Sequence, residues 1–406
     1  MTQVQRKGPT FRYGVIQAGF WIDYLIINSF AAVFLSGRGF STAAIGGITS
    51  AGALASCVLQ QVSGDIADRS KRPLKHMIAG FFLACTACFA LLKVFPEVYA
   101  STLVFYTVAF TLQSSIAPLL NSLCLQFTNR GYDMNFGLAR SMGSFGYATG
   151  ALIMGQVTEH YGAEIILPIY MAIYLILLLV LASIPVPAAA VTKPIAGNEI
   201  LKDEKPSTMK EFFHKYHRFE LLMAGFVLEW FLNSLLGTYM IYFVRYFGGG
   251  QADMGLAFAV MAYSEIPAVM FGTNLMGRIG ADTMLRISGF GGILKAILFL
   301  LSPNIHFFVW CNIAHLLYSG FYQVAAVYYV YRIVGVGDIA KGQAIMGIAT
   351  GGVCMMLANL IGGFLLERVS IPFILIIGLV ANIAAFVLIY LATDPKRFPN
   401  EKIRSL

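Results

Sequence analysis

Gly64-Asp65-Ile66-Ala67-Asp68-Arg69-Ser70-Lys71-Arg72-Pro73 is a short, charged break between two long apolar runs. A degraded echo of it, Gly277-Arg278-Ile279-Gly280-Ala281-Asp282-Thr283-Met284-Leu285-Arg286, follows later in the chain. A polar hinge between hydrophobic stretches, present once in each half, points to a membrane protein built twice on one plan. Composition agrees. Of 406 residues 58% are hydrophobic and 12% charged, against about 25% charged in soluble domains. Windows of about 20 apolar residues recur almost end to end, which predicts an all-α polytopic membrane protein. The 40 glycines suit close approach of helices in lipid. Met1 to Thr10 is polar and basic and the first apolar run is long, so no secretory leader is expected. Cys57, Cys85, Cys88, Cys124, Cys311 and Cys354 all fall in apolar runs. Cys85 and Cys88 form a C-x-x-C, but without His or further Cys partners they read as small core side chains, and no metal or cofactor is expected.

Twelve transmembrane helices are read, over about 12–35, 42–64, 75–95, 98–127, 136–158, 163–185, 218–246, 253–276, 283–302, 306–331, 341–365 and 370–392. The long polar stretch after the sixth divides the chain into a six-helix bundle over 1–186, a linker over 187–217 and a second six-helix bundle over 218–406. The two bundles are expected to be pseudo-symmetric. With the N-terminus placed inside, 22 Lys and Arg fall on the inner side and only Arg38, Lys93, Arg245 and Arg368 on the outer. Arg140 and Lys295 lie within spans. This asymmetry predicts both termini and the linker in the cytoplasm. The net charge of +8 therefore belongs to membrane orientation and does not call for a nucleic-acid partner.

Six spans plus six, an inside linker and the opening motif together resemble the major facilitator superfamily, whose signature after the second helix runs roughly G-x-L-A-D-R-x-G-R-K. Gly64, Ala67, Asp68, Arg69 and Arg72 match it, with Ile66 a conservative match; Lys71 stands where Gly is usual and Pro73 where a base is usual. Gly64, Asp68, Arg69 and Arg72 are thereby assigned to a gating motif. In physical terms Gly64 would permit a close helix contact, Asp68 would sit near a helix N-terminus and the bases would hold the inner side. Phe136-Gly137-Leu138-Ala139-Arg140-Ser141-Met142-Gly143-Ser144-Phe145-Gly146-Tyr147 resembles the fifth-helix start of lactose-permease-like and nucleoside-proton symporters. Leu138 replaces the first Arg of their pattern and Arg140 matches the second, the sugar-binding one in sugar symporters. Tyr263-Ser264-Glu265-Ile266-Pro267 and His315 also fit this branch. Two positions depart from it. Asn121-Ser122 supplies no carboxylate partner for Arg140, and Tyr318 stands where lactose-type permeases have the Glu that serves as proton site.

Intramembrane charge costs roughly 2.5–3.5 kcal/mol per residue on insertion scales, so each instance asks for a partner and a purpose. Glu265, Lys295 and His315 each lie well inside their spans, which predicts a cluster near the midplane facing a substrate cavity. There Glu265 would take a proton or solute hydroxyls while Lys295 and His315 tune it; a structural ion pair is the alternative. Asp23, beside Trp21, Tyr24 and Asn28, and Glu229, beside Trp230 and Asn233, are the other acids. Aromatics next to polar groups suit a sugar or nucleobase. Asp23, Asn121, Arg140, Glu229, Glu265, Lys295 and His315 form the expected binding and coupling set. Gln113, Gln126, Tyr322 and Gln323 read as helix-to-helix hydrogen bonds, and Gly347 with Gly351 as packing. Ala151 stands where drug-efflux antiporters carry Pro, and no H-E-x-x-H or nucleophile–base pair marks an enzyme. The expected function is proton-coupled import of a sugar or nucleoside by a monomer in a cell inner membrane, with efflux antiport or uniport as alternatives. Its partners would be the solute, protons and the lipid bilayer.

Overall fold

The structure, a computed structural model, describes residues 6–70, 72–96, 99–130, 132–186 and 207–398. The chain divides into two compact units, Met1–Gly197 and Asn198–Leu406. Residues 187–206 of the expected linker lie outside the described part.

Unit 1 contains α1 (Thr10–Ser29, continued by Ala31–Gly37 after a 50° bend), α2 (Thr42–Arg69), α3 (Leu74–Val94), α4 (Tyr99–Thr128), α5 (Phe136–Tyr161) and α6 (Ile166–Ser183). Unit 2 contains α7 (His217–Tyr246), α8 (Gln251–Ile279), α9 (Ala281–Leu300), a segmented α10 from Ile305 to Ile333, a segmented α11 from Ile339 to Arg368, and α12 (Ile371–Thr393). Eight described helices are long and apolar enough to cross a bilayer, or ten if each bent pair counts as one span. With α5 and α10 the helical segments occupy all twelve expected positions. A two-residue parallel strand pair, Arg6–Lys7 with Tyr132–Asp133, is an addition to the all-helical reading.

α8, α10 and α11 are less regular than their hydropathy implies. In α8, Pro267 removes a backbone donor and crowds the preceding turn, and the helix bends by 51° between Ala268 and Met270. In α10 an α-helical start, Ile305–Trp310, tightens to a 3₁₀ turn over Cys311–Ala314 and widens to a π turn over Leu316–Gly320. A second π turn, Ile348–Val353, interrupts α11. Such local π turns recur at functional positions because they re-aim side chains without ending the helix.

The opening motif is more helical than expected. α2 runs through it to Arg69, and α3 begins at Leu74, directly after Pro73. Pro73 fits that place because it lacks the donor a helix start does not use. Among the described residues the close contact expected at Gly64 is not found: an added Cβ there would meet nothing within 4 Å. Asp68, expected near a helix N-terminus, lies instead in the last turn of α2; its side chain, and all of Lys71, lie outside the described part. In the echo a single residue makes the turn. Gly280, with φ of 85°, separates α8 from α9, and Asp282 follows in the first turn of α9, where an acid complements the helix dipole.

The described end of the linker is structured. Thr208 and Glu211 form a reciprocal capping box on the short helix Met209–Lys215, satisfying backbone donors that helix formation leaves open. Just before it, the Ser207 hydroxyl donates to Asp338 at 2.7 Å, Tyr216 donates to the other Asp338 oxygen at 3.1 Å, and Lys341 bonds the Ser207 carbonyl.

Within unit 1, α1 lies along α5, and glycines set the spacing. A Cβ at Gly146 would stand 2.6 Å from the Ala18 carbonyl oxygen, and one at Gly143 would stand 2.5 Å from the Trp21 ring. The Ala18 contact is with backbone, which cannot swing aside. Gly146→Leu should therefore lower stability by about 1–3 kcal/mol through overpacking. A drop of several degrees in the melting temperature of the detergent-purified protein is expected; an unchanged melting temperature would show that α1 and α5 can separate freely.

Candidate functional site

Unit 2 joins three of the intramembrane residues singled out from the sequence. α8 supplies Glu265 just before the Pro267 bend, α9 supplies Lys295, and α10 supplies His315 between its 3₁₀ and π turns. His315 Nε2 is 2.9 Å from Glu265 Oε1, and Lys295 Nζ is 3.0 Å from His315 Nδ1. Lys295 and His315 are buried. An ammonium has only donors, so with Lys295 protonated Nδ1 must accept. The ring proton then sits on Nε2 and points at Glu265. The result is a linear chain, ammonium to neutral imidazole to carboxylate, whose charges cancel. Gln323 donates to the second Glu265 oxygen at 3.1 Å and to Ser319 Oγ at 3.1 Å. The Lys295 ammonium also lies 5.4 Å from the Phe299 ring centroid and 5.6 Å from that of Tyr318, a favourable placement for a cation.

Tyr318 links this chain to Glu229. Its hydroxyl donates to the Glu229 backbone carbonyl at 2.6 Å, and its ring packs against His315 and Trp230. The Ser288 hydroxyl lies 2.6 Å from the Tyr318 carbonyl and 2.7 Å from Glu229 Oε1. One hydroxyl carries one proton, and the carbonyl can only accept it. Both contacts are therefore satisfied together only when the Glu229 carboxyl carries a proton of its own. Glu229 Oε2 is buried with no hydrogen-bond partner among the described residues.

Close packing of α9 on α10 makes this possible. A Cβ at Gly291 would stand 2.8 Å from the Tyr318 backbone nitrogen on α10, and one at Gly292 would collide with Asn382 Oδ1 on α12. A small cleft beside them is lined by Lys295, Tyr318, Asn233 and Asn382. The amide oxygens of Asn233 and Asn382 have no partner among the described residues. Ser288 and Asn382 lie outside the expected set, and Tyr318 enters the sequence reading only as the residue in place of a family Glu. Asn382 was visible as a lone amide in the apolar α12; Ser288 gave no signal in a Gly- and Ser-bearing helix.

The remaining residues of the expected set lie in unit 1 and do not form a comparable cluster there. Arg140 stacks over the Trp21 ring at 4.4 Å and lies 3.4 Å from Ser144 Oγ. Trp21 donates to Gln17, Gln17 to Tyr13, and Tyr13 to the Leu120 carbonyl, so Arg140 caps a polar file along α1. Asp23 is fully buried, and neither of its oxygens has a hydrogen-bond partner among the described residues. It lies near Cys85 of α3 and Tyr170 and Tyr174 of α6. Gln113 ties these elements together, accepting from Tyr170 at 2.9 Å and from Tyr174, and donating to the Phe20 carbonyl at 3.3 Å. Gln113 thus matches its reading as helix-to-helix glue. Asn121 is exposed on α4. All six cysteines are free.

Two bundles of membrane helices, discontinuous segments and a buried charged chain define a membrane transporter. Residues 26–377 match the MFS_1 like family, and the chain belongs to it. It is thus a multi-pass membrane transporter of the major facilitator type and not an enzyme. The maltose permease of Geobacillus stearothermophilus is 24% identical over 369 residues, covering 89% of each chain. The nucleoside transporter NupG, at 16% identity, has a TM-score of 0.69 over 94% of this chain and 96% of that one; a variant of it reaches 0.76 over 94% and 97%. A bacterial homologue of the human lysosomal transporter Spinster, inward-facing and unoccupied, has a TM-score of 0.65 at 14% identity over 98% of both chains. These likenesses establish the fold.

The charged chain makes a quantitative prediction. Lys295→Met leaves Glu265 without its counter-charge; because Glu265 is only partly buried and reached through His315, the loss should fall below the roughly 3–5 kcal/mol of a fully buried direct pair. Adding Glu265→Gln to Lys295→Met should restore part of that loss. Thermal unfolding of the two single variants and the double variant checks this; strictly additive losses would mean the two charges do not sense each other through His315.

Proposed function

We propose that the protein imports a small polar solute, a sugar, oligosaccharide or nucleoside, together with protons by alternating access of its two units. The observation that carries this reading is the Lys295–His315–Glu265 chain. Its charges cancel only while Glu265 is ionised. A proton arriving at Glu265 leaves the chain with a net positive charge and changes the carboxyl from an acceptor into a donor. Both changes alter what a solute meets and how costly the cavity is to enclose in lipid. Asp23, Asn121, Arg140 and Glu229 are assigned to the solute path with it, and Gly64, Asp68, Arg69 and Arg72 to gating. Lysine and arginine asymmetry supports an inner-membrane location with both termini and the 187–217 linker in the cytoplasm. Similarity to a maltose permease and to a nucleoside transporter supports the two solute classes.

Proteoliposomes containing a pH dye, offered sugars and nucleosides one at a time, test the reading. One solute should drive proton entry, and a protonophore should abolish its uphill accumulation. Glu265→Gln should lose accumulation while retaining solute exchange at equilibrium. Solute equilibration without any proton movement would make the protein a uniporter. Proton movement opposite to the solute would make it an antiporter. Undiminished accumulation by Glu265→Gln would remove that residue from coupling.

A further inference from the structure

Lys295 is the member of the charged chain whose bonding is least complete. An ammonium carries three donors, and among the described residues one of them finds an acceptor, His315 Nδ1 at 3.0 Å. Lys295 also lines the small cleft it shares with Asn233 of α7 and Asn382 of α12. Asn382 is 2% exposed. Its amide nitrogen donates to the Gly378 carbonyl at 2.8 Å, while its Oδ1 is buried with no partner among the described residues. Asn233 Oδ1 is in the same condition. A buried amide oxygen without a donor is unfavourable, and here two of them share a cleft with an ammonium that has donors to spare. The placement is close. Asn382 Oδ1 occupies the space over Gly292, where an added Cβ would also stand 3.2 Å from the Tyr318 ring. Lys295 follows three residues later, so it shares that face of α9, and its Nζ is 5.6 Å from the Tyr318 ring centroid.

Proton uptake at the chain gives this cleft a use. With Glu265 ionised, the Nε2 proton points at Oε1 and Nδ1 accepts from Lys295. The other carboxylate oxygen, Oε2, already faces the Gln323 amide donor. A proton taken up by the Glu265–His315 pair therefore acts through the ring. The Nε2 proton passes to Oε1, the incoming proton binds Nδ1, and the pair has gained one proton. Nδ1 then carries an N–H that faces the ammonium, donor against donor. An imidazolium beside an ionised Glu265 carries the same N–H and meets the same conflict. In either form Lys295 loses its acceptor and needs another. Of the helices packed on α9, α8 brings Glu265, α10 brings His315 and Tyr318, and α12 carries no acid or base. Glu229 of α7 is engaged by Ser288. The open acceptors in the cleft are the two amide oxygens.

We infer that the cleft is a second seat for the Lys295 ammonium. When the Glu265–His315 pair holds a proton, Nζ leaves Nδ1 and is bound by Asn382 Oδ1 and Asn233 Oδ1; when the proton departs, Nζ returns. Asn382 and Asn233 are thereby positioning residues for the protonated state. The inference rests on the proton uptake at Glu265 proposed above, and it is tested without solute or transport.

The test compares melting temperatures of the full chain in neutral detergent at about pH 8.5 and about pH 4.5. Asn382→Leu and Asn233→Leu each remove one acceptor, and each should lose at least about 2 °C more at the acid pH than at the alkaline one. In a Lys295→Met background that difference should vanish. Equal losses at both pH values would make the two amides plain helix contacts and overturn the inference, as would a difference that survives in Lys295→Met. Should Asn382→Leu not fold, Asn233→Leu decides by the same comparison. A structure determined at the acid pH gives a second reading: Nζ should lie within about 3.2 Å of Asn382 Oδ1, and Nζ still on Nδ1 would overturn the inference. An acid-specific loss that needs Lys295 supports the seat even if the protein proves to be a uniporter. Equal losses remove the seat and leave proton coupling to the flux assay.

Discussion

Hydrocarbon offers no water, so every polar group carried into it must be answered from within the protein. In unit 2 that constraint meets its hardest case, an ammonium and a carboxylate on separate helices. The imidazole of His315 spans them, 3.0 Å from one and 2.9 Å from the other. Much of the local irregularity serves this bridge. Pro267 bends α8 just beyond Glu265, the 3₁₀ and π turns of α10 flank His315, and Gly291 lets α9 come close enough to α10 for Lys295 to reach it. A straight, evenly wound set of helices would carry the same residues without their meeting.

The two units share a plan but differ in chemistry. Unit 2 places its charges in a hydrogen-bonded chain beside Glu229, Ser288 and Tyr318. Unit 1 instead gathers neutral groups about Gln113. Gln113 joins α1, α4 and α6 through two tyrosines and a backbone carbonyl, and Arg140 rests on an aromatic ring. Its acid, Asp23, is buried without a hydrogen-bond partner among the described residues. In the reading proposed above, this asymmetry gives unit 2 the larger part in proton coupling and leaves unit 1 to aromatic and amide contacts with the solute.

The substitution of Tyr318 for a family carboxylate shows how one change is absorbed. The phenol cannot carry a proton through the cycle as a carboxylate would. It spans the same neighbourhood, donating to the Glu229 backbone and lying tilted against the His315 ring. In the reading proposed above, the acidic function that lactose-type permeases place one turn after the histidine falls to Glu229 from α7 and Glu265 from α8.

By itself the sequence determined the class, because hydrophobic length, the lysine and arginine asymmetry and the motif at 64–73 are properties of local stretches. The twelve helical positions and the charged residues in α8, α9 and α10 were legible for the same reason: a charge in an apolar run stands out without any knowledge of its neighbours. Only the tertiary structure decided who partners whom. That Lys295 reaches His315, that Ser288 holds Glu229, that Asn382 lines the cleft with Lys295 and that Gly64 makes no close contact among the described residues all depend on helix rotation and spacing. Those are set by the packing of many small residues at once, and a local window of sequence does not carry that information.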